Sequence, residues 1–137
     1  MLGAEEILAL QHLVRRIPMS DLVVEYALSL VRATRAGDPA APAFVKDWLM
    51  IGAGPRGGLS ILSAAKARAA LAGRPEVTPE DVRFVARPAL RHRMILSYHA
   101  EAEGQTPDTV IDALLEAVPV HPTSGELGER AGQVLGS

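Results

Sequence analysis

Apolar residues recur along this chain at the three-and-four spacing of amphipathic helices, and they do so in five separate segments. In residues 4–17, Ile7, Leu10, Leu13, Val14 and Ile17 share one side. Glu5 and Glu6 open that segment, Arg15 and Arg16 close it, and Pro18 ends it, a charge order that suits the helix dipole. Residues 20–36 carry a second stripe of Val23, Tyr26, Ala27, Leu30 and Thr34, with Ser20 as N-cap, Asp21 in the first turn and Gly37 as a stop. A third helix is predicted over 55–72. Pro55 occupies its first position, where a missing N–H costs nothing, and Leu59, Leu62, Ala65, Ala69 and Ala72 form its inner face.

The segment 78–93 begins Thr-Pro-Glu-Asp, a strong start signal, but Pro88 predicts a break into two pieces near residue 87. Thr106-Pro107-Asp108 repeats the start signal ahead of Val110, Ile111, Leu114, Leu115 and Val118. Between these segments, residues 37–43 hold two prolines and read as a loop. The apolar run Phe44 to Ile51 suits either a short strand or a helical turn. The pattern therefore predicts an all-α fold: a small helical bundle of five or six helices with at most one short strand. Residues 1–120 form the helical domain, and 121–137, poor in apolar residues, are expected to be a flexible C-terminal tail.

Composition narrows the chemistry. At 137 residues the chain is long enough for one self-sufficient core. With no cysteine, disulfides and thiolate metal sites are excluded. One Trp, two Tyr and two Phe leave the core to aliphatic side chains. A net charge of -2 argues against a nucleic-acid-binding polycation. No stretch approaches the roughly 20 apolar residues of a membrane span, and the acidic start is unlike a signal peptide. A cytoplasmic setting is the expectation. His12, His92, His99 and His121 show no paired helical spacing, so no metal site is expected.

The most informative string is Gly52-Ala53-Gly54-Pro55-Arg56-Gly57. It matches G-x-G-x-x-G literally, but a dinucleotide site needs a βαβ unit, and the segments that follow are helical. No G-x-x-x-x-G-K-[ST] phosphate loop occurs in the chain. Two readings remain. The string is a sharp turn into the third helix with Arg56 solvated, or it is an anion sensor. In the second reading Arg56 lies in the first helical turn, where free N–H groups favour negative charge, and Gly52 and Gly54 leave room for close approach. A guanidinium can bind a phosphate through two parallel hydrogen bonds.

The string Trp48-Leu49-Met50-Ile51-Gly52-Ala53-Gly54-Pro55-Arg56 resembles the sensor-2 region of MoxR-type AAA+ ATPases, which carry Gly-Ala-Ser-Pro-Arg-Ala or Gly-Ala-Gly-Pro-Arg-Ala at the start of a lid helix. Further stretches follow in that family's order: Ala64 to Ala69, Val77-Thr78-Pro79-Glu80-Asp81-Val82, Leu90-Arg91-His92-Arg93, and Ala100 to Gly104. Earlier, Val14 to Ser20 and Arg32 to Arg35 resemble its entry into the lid. The resemblance spans about residues 5–120. Gly57 departs from it, standing where the family usually has Ala.

The resemblance implies an AAA+ lid that senses ATP phosphates through Arg56, with Pro55, Gly54 and Gly52 shaping the nucleotide contact. It implies coupling of hydrolysis to conformational change in a chaperone-like, hexameric ring. ATP and Mg2+ would belong to the full-length ATPase. Walker A and B segments would lie in an α/β domain preceding residue 1, so the chain alone is not expected to hydrolyse ATP. Implied partners are that α/β domain, neighbouring ring subunits and proteins with a von Willebrand factor A domain.

Arg83, Arg87 and Arg91 are spaced by four, with His92 and Arg93 adjoining. The plain reading is a solvated face paired with nearby acids. The functional reading gives Arg87, Arg91 and Arg93 a subunit or phosphate contact. A helical DNA-binding module, or a protein-interaction module with no nucleotide role, is the alternative function.

Overall fold

A computed structural model describes residues 3–9 and 17–120. The expected tail, His12, His121 and most of the first predicted stripe lie outside them. Residues 4–9 are helical. The elements that follow are α1 (Asp21–Ala33), α2 (Ala43–Trp48), β1 (Leu49–Ile51), α3 (Pro55–Leu71), α4 (Pro79–Leu90), β2 (Ile95–Leu96), α5 (Tyr98–Ala102) and α6 (Pro107–Ala117).

The core forms where the predicted stripes meet. From α1 come Val23, Tyr26, Ala27 and Leu30, from α4 Val82, Val85, Ala86 and Leu90, and from α6 Val110, Ile111 and Leu114. Helix α3 lies among them and contributes Ile61, Ala65 and Ala69, together with Gly57 and Gly58. Small residues on that face let α1 and α4 approach closely. Here the inner face keeps the predicted Ala65 and Ala69 and departs from the prediction at the other three positions. Leu59 is 66% exposed, Ala72 is exposed, and Leu62 is only partly buried, while Ile61 is fully buried. Leu59 and Leu62 drew the first half of the face away from Ile61 and the two glycines before it. The glycines that mark the true face have no hydropathy to reveal it.

Pro88 does not divide α4, which runs unbroken from Pro79 to Leu90. The reason is position. Pro88 lies in the last turn, and the one hydrogen bond it forfeits would have gone to the carbonyl of Phe84. Both residues are exposed, so water can satisfy that carbonyl. Caps work as the sequence suggests. The Ser20 hydroxyl accepts from the Val23 N–H at 3.4 Å, and the Thr106 hydroxyl accepts from the Thr109 N–H at 3.2 Å.

The run Phe44 to Ile51 resolves into both alternatives in succession, a short helix and then a strand. Strand β1 pairs antiparallel with β2, Leu49 opposite Leu96 and Ile51 opposite Ile95, with a register shift between. The pair is extended by Ser97, whose N–H donates to the Trp48 carbonyl at 2.8 Å and whose hydroxyl donates to the Asp47 carbonyl at 2.5 Å. This second strand and α5 were not predicted. Three apolar residues after an arginine cluster carry no periodicity of their own.

Candidate functional site

The glycine string leaves β1 and enters α3. Gly54 is the N-cap and Pro55 the first helical residue, so Arg56 stands in the first turn. Gly54 offers no side chain to cap the helix. Arg56 is exposed, and its guanidinium makes no hydrogen bond or ion pair among the described residues.

What fixes this turn is Thr34, the residue that ends α1. It is a buried polar side chain, 1% exposed. Its hydroxyl donates to the Val31 carbonyl at 2.6 Å and accepts from the Ala53 N–H at 2.9 Å. The turn and the end of α1 are thereby tied across 19 residues of sequence. Gly52 makes the approach possible. A Cβ there would fall 2.2 Å from the Thr34 carbonyl oxygen, far inside contact distance. Gly52 therefore makes room for the protein's own backbone. Gly54 has nothing within 4 Å of where a Cβ would lie, so this side of the turn is open. The sequence marked Gly52 and missed Thr34, which had appeared only as the last position of a helical stripe.

Gly57 also has a packing reason. An Ala methyl would come within 3.1 Å of the Leu90 Cδ2 and of the Ala53 Cβ. The bare Gly57 leaves that space to Leu90 of α4 and to Ala53.

The arginines of α4 form the continuous stripe that an unbroken helix allows. Arg83 donates to the Tyr26 hydroxyl at 3.2 Å and to the Leu115 carbonyl at 3.1 Å. Arg87 forks onto Asp112 at 2.8 and 2.7 Å, and Arg91 onto Asp108 at 3.1 and 3.2 Å. The Asp112 carboxylate holds the Arg87 pKa above its ordinary value. Both forks pin α6 to α4, which is the plain reading of that stripe. Arg93 stands apart. It is exposed and makes no such pair among the described residues.

One cluster escaped the sequence reading. Asp81, read from the sequence only as part of a helix start signal, is fully buried. Its carboxylate receives Arg68 at 2.6 Å, Arg74 at 2.7 Å through Nη1 and again through Nη2, and the Thr78 N–H at 2.8 Å. The Arg74 bonds, followed by those from Thr78 and Arg68, hold its pKa far below the carboxylate range against the opposing effect of burial. The Arg68 guanidinium also lies 4.1 Å from the centre of the Phe84 ring. This cluster ties the carboxyl-terminal half of α3 to the start of α4, at the far end from Arg56.

A small helical domain thus presents an unpaired arginine from a turn tied to Thr34, at one end of its longest described helix. The AAA lid domain family model matches residues 45–114, and the chain belongs to this family, as the C-terminal lid of a MoxR-family AAA+ ATPase. It is 36% identical over 118 residues to chaperone MoxR1 of Mycobacterium tuberculosis, covering 86% of this chain and 31% of that protein. It is 42% identical over 71 residues to protein MoxR of Paracoccus denitrificans, covering 50% of this chain and 21% of the relative. A putative ATPase from Cytophaga hutchinsonii superposes with a TM-score of 0.80 at 30% identity, over 86% of this chain and 36% of that one. The chain therefore spans about a third of the length of the MoxR1 relative. Among the described residues no helix is long and apolar enough to cross a membrane.

Proposed function

We propose that this lid senses the phosphates of ATP through Arg56 and couples hydrolysis to movement of the lid within a chaperone-like, hexameric ring. The observation that carries the proposal is the state of Arg56: an exposed guanidinium with no partner among the described residues, on a turn held by a buried hydroxyl. Arg68, Arg74, Arg87 and Arg91, by contrast, are engaged by carboxylates. One left open at an uncapped helix start fits an anion brought to it.

The residues suit a phosphate and do not suit a metal. No group of three His, Asp or Glu among the described residues is placed to hold an ion. Mg2+ would accordingly be held by the α/β domain, which we place outside this chain along with the Walker segments. Bound there, ATP supplies the phosphoryl group to be transferred. What this chain's residues contribute is positional and electrostatic. Arg56 offers two parallel N–H donors to phosphate oxygens. Gly54 leaves the approach open, and the Thr34–Ala53 bond fixes where the fork begins. A donor fixed before charge redistributes on the phosphate stabilises it without reorganising. We place the ring in the cytoplasm, with its own α/β domain and neighbouring subunits as partners and a protein with a von Willebrand factor A domain as a further one.

The test is steady-state turnover by the full-length ATPase. Arg56→Ala should cut kcat substantially with a smaller loss of nucleotide affinity, and Arg56→Lys should recover only part, because a point charge cannot reproduce the planar fork. Wild-type turnover in an assembled Arg56→Ala ring would reduce the turn to a structural element.

A further inference from the structure

The arginines of this lid divide into two groups. Arg32 bonds Asp38, and Arg35 adds to the field on that same carboxylate. Arg68 and Arg74 hold Asp81, Arg83 holds the Leu115 carbonyl, Arg87 holds Asp112 and Arg91 holds Asp108. Among the described arginines, Arg56 and Arg93 are left without a partner. The two lie 37 residues apart in the chain, yet the fold brings the Arg93 stem to the residue that follows Arg56. The Arg93 Cδ lies 3.7 Å from where a Cβ on Gly57 would be, and Gly57 directly follows Arg56.

This placement is built by neighbours on both sides. Arg93 is on the turn after α4, its N–H donating to the Leu90 carbonyl at 2.9 Å. Leu90 and Met94 flank it and are both buried, so its backbone is fixed while its side chain is not. The aliphatic stem lies along the bare backbone of Gly57, where the missing methyl admits it. Beyond it, Ser60, Ala64, Ala89, His92 and Arg93 line an open groove between α3 and α4. Ser60, one of those lining residues, follows Arg56 by one helical turn. Neither guanidinium is neutralised by a carboxylate among the described residues, which leaves both charges to an anion from outside.

We infer that Arg93 is a second phosphate-contacting residue, forming with Arg56 a two-arginine clamp on the terminal phosphates of one nucleotide. This rests on the phosphate-sensing reading of Arg56. Arg56 approaches from the helix start and Arg93 from the α4 side, so the clamp holds the phosphate in register with both α3 and α4. Any shift of the phosphate then acts on two helices of the lid at once.

Arg93→Gln in the full-length ATPase is the informative variant, because it keeps the stem over Gly57 and removes the charge. ATP turnover (kcat and KM), ADP affinity by calorimetry and the thermal melt would be measured for wild type, Arg93→Gln, Arg93→Lys, Arg56→Ala and the double variant. Loss of one charge-assisted phosphate contact should weaken ADP binding about tenfold or more. The melt should be unchanged, with partial recovery in Arg93→Lys. The double variant should lose less than the product of the single losses, since both groups hold the same phosphate. Wild-type affinity and KM in Arg93→Gln beside an impaired Arg56→Ala overturns the clamp and leaves the Arg56 reading standing. Wild-type behaviour in both overturns the underlying reading as well. A lowered melt in Arg93→Gln that accounts for the lost affinity makes Arg93 a packing residue and also overturns the clamp.

Discussion

Removing the charge of Asp81 is the most demanding test of how α3 and α4 are held together. Its carboxylate is fully buried and receives two arginines and a backbone N–H. In Asp81→Asn one amide oxygen replaces the carboxylate, the Thr78 N–H keeps an acceptor, and both guanidinium groups lose their counter-charge. Breaking a buried ion pair from one side costs about 3–5 kcal/mol. Here the side chains of Arg68 and Arg74 are each 32% exposed, so both can regain water, and the cost falls towards the lower end. We expect roughly 2–4 kcal/mol, set against the ~5–15 kcal/mol that stabilises a domain of this kind. Asp81→Ala should lose about 1 kcal/mol more, because the Thr78 N–H then has no side-chain acceptor.

The pH dependence separates charge from shape. The folded pKa of Asp81 lies below its unfolded value of about 3.9. Its contribution is therefore complete above that value and is lost as pH falls towards the folded one. Wild type should lose stability through this acid range, and Asp81→Asn should have a flatter acid limb. Urea melts of the purified chain at neutral pH and at steps below pH 5 measure both effects. A loss under about 0.5 kcal/mol at neutral pH would place the variant among ordinary surface substitutions and refute the buried-pair account. An acid limb identical to wild type would refute the assignment of that limb to Asp81.

Three further outcomes follow from the packing. Leu30→Ala and Ile61→Ala should each cost about 2–5 kcal/mol in a denaturant melt, whereas Leu59→Ala should stay within about 0.5 kcal/mol; the reverse order would restore the face drawn from the sequence. Thr34→Val keeps the shape but leaves the Ala53 N–H without its acceptor, and should cost about 1–3 kcal/mol in the same melt. Gly52→Ala should destabilise by more than the ~1–3 kcal/mol of ordinary overpacking, because the added methyl meets backbone; a stable Gly52→Ala chain with native circular dichroism would show that the turn can move.

Legibility in the sequence followed the range of the interaction. Caps, prolines and apolar stripes act within one or two turns, and they located α1, α3, α4 and α6. The ends of α1 and α3 fell within three residues of those expected. The place of Arg56 in the first turn was legible because its neighbours set it, Gly54 before the helix and Pro55 at its start. What stayed hidden needed a partner from elsewhere. Strand β2 gains its identity only from β1, Asp81 from Arg68 and Arg74, and Thr34 from a glycine eighteen positions later. Pro88 misled for a related reason. Its penalty depends on whether the orphaned carbonyl is buried, and sequence alone did not show that the Phe84 side faces water.

Helix α3 links these observations mechanically. Its 17 residues span about 25 Å, with Arg56 in the first turn and Arg68 in the last. One end presents the unpaired Arg56, while the other is locked to α4 through Asp81. Between them the buried face of α3 is Gly57, Gly58, Ile61, Ala65 and Ala69, where four small residues around one isoleucine leave few side-chain rotamers to absorb a displacement. A force applied at Arg56 would therefore move α3 and α4 together. The Thr34–Ala53 bond would carry the same displacement to the end of α1. A lid built with long side chains along α3 would bury more apolar area, but it would also yield locally when pushed. Small residues in the middle and an ion-paired lock at the far end favour transmission, which is the property the phosphate-sensing proposal requires of this domain.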